Sequence, residues 1–382
     1  MADDIEPVTR REPPTIVAKR AIGVFDSGSG GMVTAAWLLK MLADADLSDI
    51  SVVFFGDTAN LPYGTKTQEH VAKLSDAIIE RLSSHCPVIG IACNTASASW
   101  AHFGSAGKSD GLRQPKVFSV VEVAAQQAYD RARVLPDPKM KRGRKTIGVL
   151  GTELTAEIQS HAERIVERHR RILSDAIGHQ LPLIHYTFGR DDIEPTLPAD
   201  LIDYKHTPHI AVFREDEPGP GGTTRAGIRH WTPPEHLPHD VEIIARAAQK
   251  LVAAVDVAHI LDAEGLVKQE WREKLAEYLH EVSGDLVRRK TTALILGCTH
   301  FEFFERAFAK LLPTLAARNS IVSPSGALAV ALFDAFGEYA DAHPVQPVAQ
   351  QGHAYFAFSG DRPPTETFQG LGITNPVDAE LT

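Results

Sequence analysis

Short apolar runs alternate with polar clusters and helix-like stretches along much of the chain. Five such runs are Ala21–Phe25, Ser51–Phe55, Val88–Ala92, Thr146–Leu150 and Ala293–Gly297. Apolar residues at three- and four-residue spacing, which is typical of helices, occur in Val71–Leu82, Thr155–Arg171 and Phe301–Leu312. Continuous apolar runs separated by helices are typical of buried parallel strands in βαβ units. The pattern therefore predicts an α/β fold.

The predicted strands fall into two groups, before and after about residue 120. This grouping predicts two Rossmann-like parallel-sheet lobes related by pseudo-symmetry. We expect residues 20–120 and about 300–345 in the first lobe, and residues 121–299 in the second. Ligands of open α/β sheets bind at the carboxyl ends of the strands, where the polar clusters lie. The active site is therefore expected in the cleft between the two lobes.

Three segments fall outside this pattern. Residues 1–19 are polar and aperiodic, which predicts a disordered N-terminal arm. Residues of about 190–265 are expected to form an insertion in the second lobe, because Pro, Gly, His and Asp crowd its first part. Residues 346–382 form a Pro-rich, weakly patterned C-terminal extension.

Charge and cysteine content restrict the class of protein. The formal net charge of the 382 residues is -10, which disfavours generic binding to nucleic acid or to anionic membranes. There is no N-terminal signal pattern and no apolar run near the roughly 20 residues that span a bilayer. The three cysteines do not form a disulfide framework and fit a reducing, cytoplasmic setting. A soluble cytoplasmic protein with a small-molecule ligand is expected.

Two of the cysteines, Cys93 and Cys298, each follow an apolar strand and precede a helix. The positive end of a helix dipole and its free N–H groups lower a thiol pKa, so this setting predicts reactive thiols. His300 lies two residues after Cys298, where it could orient the thiol or carry its proton. Cys86 lacks such surroundings and is expected to be structural.

Four uses of the two cysteines follow from the residues alone. A disulfide is disfavoured by the reducing compartment. A metal site could draw on Cys93, Cys298 and His300, but the paired spacing of zinc motifs is absent, and we expect no metal. A cysteine hydrolase needs only one thiol with a histidine and an acid. Two-base proton transfer needs two similar groups facing each other across a planar intermediate, which one cysteine from each lobe would supply.

Other polar residues at the strand ends suit an amino-acid substrate. Helix starts bind carboxylates through N–H groups and hydroxyls, and the candidates there are Ser27, Asn94, Thr95, Thr152 and Thr299. Asp26 could support a thiol, anchor an ammonium group or cap a turn. The glycine-rich residues 28–31 lack both the lysine and the spacing of phosphate-binding loops.

Four motifs carry a family resemblance. They are Asp26-Ser27-Gly28-Ser29-Gly30-Gly31, Gly56-Asp57-Thr58-Ala59 with Pro62-Tyr63-Gly64, Cys93-Asn94-Thr95-Ala96-Ser97, and Gly297-Cys298-Thr299-His300. In this order they resemble glutamate racemase, in the aspartate/glutamate racemase superfamily. The motifs anchor roughly residues 20–155 and 290–330.

The resemblance implies an isomerase that uses no cofactor and interconverts L- and D-glutamate for peptidoglycan synthesis. It implies that Cys93 and Cys298 transfer the proton, with Asp26 and His300 supporting the two thiols. The substrate site it implies is lined by Asp26, Ser27, Tyr63, Gly64, Asn94, Thr95, Thr299 and His300. A homodimer is expected by family analogy alone.

The chain departs from the family pattern in several respects, among them Asn60-Leu61 before Pro62, where the family commonly has Arg at the first of these positions. It is longer, mainly between about 190 and 265 and at both ends, and the family's Val-Pro-x-Val-Glu segment is not recognisable. Phe301-Glu302 stands where the family usually has Tyr-Pro. These departures leave two alternatives: a racemase of aspartate or another amino acid, and a non-catalytic amino-acid-binding protein on a racemase fold.

The distinction between the cysteines gives a first prediction. Cys86→Ala is expected to leave turnover nearly intact, because only the two strand-end thiols have surroundings suited to proton transfer. Steady-state racemisation of glutamate by this variant tests the expectation. Loss of turnover in a folded Cys86→Ala protein would contradict it.

Overall fold

The structure is a computed structural model that describes residues 20–104, 115–134, 145–151, 161, 164, 212–213, 241–247, 284, 287, 291–302, 305–343, 352–379 and 381. Within these ranges no helix combines the length and the apolar character needed to cross a membrane. The predicted N-terminal arm (1–19) and most of the predicted insertion (190–265) lie outside the described residues.

The described strands, in chain order, are β1 Ala21–Asp26, β2 Ser51–Gly56, β3 Val88–Ile91, β4 Lys116–Ser119, β5 Lys145–Gly151, β6 Val212–Phe213, β7 Val241–Ala247, β8 Thr291–Gly297, β9 Ile321–Val322, β10 Ala354–Phe358 and β11 Val377–Asp378. The described α-helices are α1 Met32–Asp44, α2 Gln68–Ser83, α3 Asn94–Phe103, α4 Val120–Val134, α5 Thr299–Glu302, α6 Glu305–Leu311, α7 Pro313–Ala317, α8 Pro324–Ala342 and α9 Thr365–Gly370. All five apolar runs that the sequence marked as strands are strands.

The first sheet has the strand order β11-β10-β2-β1-β3-β4, and every neighbouring pair is parallel. Asp26 at the end of β1 pairs with Gly56 at the end of β2, and Phe25 pairs with Ile91 at the end of β3. Because these three strands end in register, the residues that follow them meet at one edge of the sheet.

The second sheet has the order β6-β7-β5-β8-β9 and is also parallel. Gly151 at the end of β5 pairs with Gly297 at the end of β8, so Cys298 leaves the carboxyl edge of this sheet. Two parallel sheets with helices confirm the predicted α/β fold class.

The first sheet is covered on both faces, as parallel sheets require. On one face, Val24, Phe54 and Phe356 pack among apolar residues of α1 and α8. On the other, Phe25, Phe55 and their neighbours pack against α2 and α3. The alternating sides of the strands therefore bury two separate cores, one on each face.

The C-terminal residues beyond 345, taken from the sequence as an extension, contain two strands of the first sheet. β10 pairs with β2 from Ala354 to Phe358, and β11 pairs with β10. The sequence Ala-Tyr-Phe-Ala-Phe is a five-residue apolar run, and four of its residues are buried. Prolines on both sides of this run led us to predict irregular structure. Pairing with β2 and burial make the run a strand.

Two further elements differ from the sequence boundaries. β4 was not predicted, and its residues are exposed or half-buried, in keeping with a strand at the edge of the sheet. β9 belongs to the second sheet, where Ile321 and Val322 pair with β8. The chain therefore returns to the first sheet after Val322, later than the boundary near residue 300 expected from the sequence.

The packing of β10 gives a stability prediction. Phe356 is 1% exposed, and its ring lies 5.7 Å from that of Phe54 and 4.9 Å from that of Phe368. Phe356→Ala should lower the free energy of unfolding by about 3–5 kcal/mol, because it removes a buried ring and leaves a cavity. Guanidinium denaturation measures this change.

A matched control uses an exposed apolar residue of α8. Val330 is 49% exposed, so Val330→Ala should change the free energy of unfolding by less than about 0.5 kcal/mol. Equal effects of the two substitutions would contradict a structural role for β10.

Candidate functional site

One pocket lies where the carboxyl edges of the two sheets meet. Its lining brings together nine of the residues singled out from the sequence: Ser27, Tyr63, Gly64, Cys93, Asn94, Thr95, Cys298, Thr299 and His300. The cavity measures about 20 Å³, counted as the space open to the centre of a water molecule. That space holds about one water molecule, so the pocket is narrow. Thr152, the remaining candidate at a helix start, lies outside the described residues.

Cys93 forms the N-terminal cap of α3. Its sulfur accepts a hydrogen bond from the Ala96 backbone N–H at 3.4 Å, and the thiol lies 3.5 Å from the Ser27 hydroxyl oxygen, to which it donates. The side chain is buried. The first turn of α3 therefore fixes the direction of the thiol, as the strand-end position predicted.

The expected direction of the Cys93 pKa shift was wrong. Burial, together with the negative charge of Asp26, raises the pKa of the Cys93 thiol to about 12. The hydrogen-bonding contacts with Ser27 and with the Ala96 backbone N–H lower the pKa but are outweighed. Desolvation of a buried thiolate exceeds the stabilisation that a helix start supplies. In these buried surroundings, Cys93 is therefore a protonated thiol.

Cys298 enters the pocket from the second sheet. It follows β8 directly, and its sulfur lies 3.6 Å from Nδ1 of His300 on α5. Both side chains are buried. The geometry allows a proton to pass between the imidazole and the sulfur, which is the relation expected from the two-residue spacing.

The two sheets touch directly beside the thiols. The Thr299 hydroxyl donates to Oδ2 of Asp26 at 3.3 Å, and the Gly31 backbone N–H donates to the same oxygen at 2.7 Å. A Cβ at position 30 would lie only 2.7 Å from Cβ of Thr299. Glycine at this position is thus required by a close approach between the loop after β1 and the start of α5.

A second buried carboxylate, Asp57, accepts hydrogen bonds around Tyr63, which lines the pocket. The Tyr63 hydroxyl donates to Asp57 at 2.5 Å, and the Ser359 hydroxyl donates to it at 2.6 Å. Burial, with the nearby charge of Asp57, raises the pKa of Tyr63, which stays a neutral phenol. Ser359 follows β10, so the C-terminal strand supports a pocket residue. Asp57 belongs to the motif Gly56-Asp57-Thr58-Ala59, but no role was expected for its side chain, and nothing in the sequence pointed to Ser359.

His161 is a pocket neighbour that the sequence did not suggest. It follows β5 in the chain, is 3% exposed, and places Nε2 at 3.1 Å from Oδ1 of Asn94. Burial lowers the pKa of His161 to about 3, so the ring is neutral at physiological pH. A histidine inside a helical stretch carries no motif, so only the fold reveals this contact.

Glu302 stands where the family pattern has proline, and it connects α5 to the start of α8, a helix that covers the first sheet. Its buried carboxylate accepts hydrogen bonds from the Ser323 hydroxyl, the Ser325 hydroxyl and the Ser325 backbone N–H at the start of α8. Burial raises the pKa of Glu302 to about 7 against the opposing effect of these bonds. Glu302 therefore holds the segment that carries Cys298 and His300.

The chemical groups near the two thiols are known for the residues that the structure covers. The three cysteines are free thiols. Across the described ranges, no three His, Cys, Asp or Glu side chains are grouped as metal ligands would be. The pocket instead combines two thiols with hydroxyl, amide and helix-start N–H groups.

Known proteins resemble this chain over most of its length. No model of a protein family matches it. The glutamate racemase of Aquifex aeolicus is 26% identical over 288 residues, covering 72% of this chain and 94% of the relative. That of Thermus thermophilus is 29% identical over 290 residues, covering 73% and 93%. The crystal structure of glutamate racemase from Francisella tularensis in complex with D-glutamate matches with a TM-score of 0.57 at 17% identity, covering 95% of this chain and 97% of that one. At that identity the structural likeness establishes the fold alone.

The contact between the two sheets gives a prediction at Gly30. Gly30→Ala should destabilise the protein by about 1–3 kcal/mol, because the added methyl group overlaps Thr299 and must push the two loops apart. Denaturant unfolding measures the change. Gly337→Ala in α8 is the matched control: a Cβ there meets nothing within 4 Å, and alanine should stabilise the helix by roughly 0.5–1 kcal/mol. A Gly30→Ala protein as stable as the wild type would refute the close approach.

Proposed function

Because the chain belongs to the glutamate racemase family, we propose that it interconverts L-glutamate and D-glutamate by proton transfer between two cysteines, without a cofactor. The observation that carries the proposal is that Cys93 and Cys298 line one pocket although they follow strands of different sheets. In a cell, the D-glutamate so formed would supply peptidoglycan synthesis.

Each inversion consists of two proton transfers, one to a cysteine and one from the other cysteine. One cysteine, as thiolate, removes the α-proton of the bound amino acid from one face. The other, as thiol, donates its proton to the opposite face of the planar carbanion. After inversion the first cysteine is a thiol and the second a thiolate, and the roles reverse for the other enantiomer. Atoms and charge balance without any further reactant.

Forming the thiolate is the demanding step, because the pKa of Cys93 in these buried surroundings is about 12. A bound amino acid brings an ammonium group, and a nearby cation favours the charged form of a thiol. The same burial that opposes ionisation makes the thiolate, once formed, a stronger base. Asp26, beside Cys93, would hold the ammonium group, while His300 would accept or return the proton of Cys298.

The remaining polar groups would hold the substrate carboxylates. Asn94 and Thr95 begin α3, and Thr299 begins α5, so their backbone N–H groups and side chains suit anionic oxygens. These donors would also stabilise the negative charge that develops when the α-proton leaves.

The decisive test is exchange of the α-hydrogen with deuterated water, followed for both enantiomers of glutamate and for a panel including aspartate. Cys93→Ser and Cys298→Ser should each lower racemisation by about 10²–10⁴-fold or more, because each removes one of the two acid/base groups. Each variant is expected to retain exchange on one enantiomer only.

The control and the contrary outcomes are distinct. Cys86→Ala, a buried thiol outside the pocket, should keep its activity. Full racemisation by either serine variant would overturn the two-base mechanism. Exchange of aspartate but not glutamate would change the substrate, and tight glutamate binding without exchange would favour a non-catalytic amino-acid-binding protein.

A further inference from the structure

The contact between His161 and Asn94 has no part in the proton transfer described above. His161 follows a strand of the second sheet, whereas Asn94 begins a helix of the first. Both side chains are buried, and Nε2 of the ring lies 3.1 Å from Oδ1 of the amide. A hydrogen bond in such surroundings fixes the orientation of both partners, because no water competes for them.

The protonation state of the ring determines which way the amide points. His161 is neutral, because burial lowers its pKa to about 3. A neutral imidazole has one N–H and one lone pair. With the proton on Nε2, the ring donates to Oδ1 of Asn94, and the amide NH₂ group faces away from the histidine. With the proton on Nδ1, Nε2 accepts, and the amide would turn its oxygen away instead.

The orientation matters because Asn94 lines the pocket. Its Nδ2 is buried and has no hydrogen-bond partner among the described residues. A buried amide donor is destabilising unless an acceptor reaches it. A carboxylate is the complementary acceptor, since it has only lone pairs to offer and forms its strongest hydrogen bonds with such donors.

We propose that His161 is a positioning residue, which through Nε2–H holds the Asn94 amide with Nδ2 directed at a carboxylate oxygen of the bound amino acid. The inference rests on the proposed function in that the ligand is an amino acid. Because the two residues come from different sheets, Asn94 is aligned only when the sheets are together. His161 thereby couples carboxylate recognition to closure of the cleft.

Steady-state kinetics on three variants test the role. His161→Phe keeps a ring but removes the donor, and should raise the KM for both glutamate enantiomers about 10–100-fold with little change in kcat, as expected for loss of an interaction made equally in the ground and transition states. His161→Gln retains an N–H donor and should recover the KM to within about fivefold. Thr34→Val, a buried polar residue of α1 outside the pocket, is the control and should leave the KM unchanged.

A double-mutant cycle separates orientation from packing. Once Asn94→Ala has removed the amide, His161→Phe should have almost no further effect on the KM. Additive effects, an unchanged KM in His161→Phe, or a Gln variant as impaired as Phe would each overturn the inference.

Nitrogen NMR of the histidine-labelled wild-type protein gives a readout that needs neither a variant nor activity. The expected result is a neutral His161 ring protonated on Nε2 from pH 5 to 8. A ring protonated on Nδ1 in this range would overturn the inference. Absence of α-hydrogen exchange by the wild-type protein would instead overturn the proposed function, so the two failures are distinguishable.

Discussion

The loop after β1 and the start of α5 approach each other so closely that a single carboxylate joins them, and the site depends on this contact. Oδ2 of Asp26 accepts from Gly31 within its own loop and from Thr299 across the cleft. Glycine at position 30 makes room for Thr299. Because Cys93 and Cys298 sit on the elements that this contact draws together, the distance between the lobes and the environment of the thiols are set by the same few atoms.

The close contact between the two loops buries the neighbouring side chains. Loss of contact with water is the main cause of their pKa shifts. Burial favours the neutral forms of Cys93, Tyr63, His161 and Glu302, although their chemistry differs. A zwitterionic ligand would add its charges beside the neutral Cys93 and Tyr63 and the negatively charged Asp26. Hydrogen bonds to Asp57 and Glu302 keep these walls rigid, because each buried carboxylate is held by two or more donors.

The sequence was sufficient to predict where five strands lie and which polar residues follow their carboxyl ends. Apolar runs marked β1, β2, β3, β5 and β8, and the polar residues after these strands meet because parallel strands end together. The direction of the Cys93 pKa shift could not be predicted, since it depends on how deeply the folded chain buries the thiol and on the nearby charge of Asp26. His161 and Ser359 reach the site through tertiary packing between distant segments, and their neighbours in the chain carry no sign of it. Glu302 lies next to a motif, but its partners Ser323 and Ser325 on α8 are known only from the packing. The roles of the lining residues in catalysis stay predictions.

The position of β10 beside β2 has a consequence for biosynthesis. Residues 354–358 pair with residues 52–56, so the first sheet closes through contacts between segments about 300 residues apart along the chain. Such long-range pairing raises the contact order and slows folding. On the ribosome, the nascent chain would carry β2 with one edge open until β10 emerged, about 15–60 s later at 5–20 residues per second. During that interval the backbone N–H and C=O groups along the open edge of β2 lack the partners that β10 later supplies.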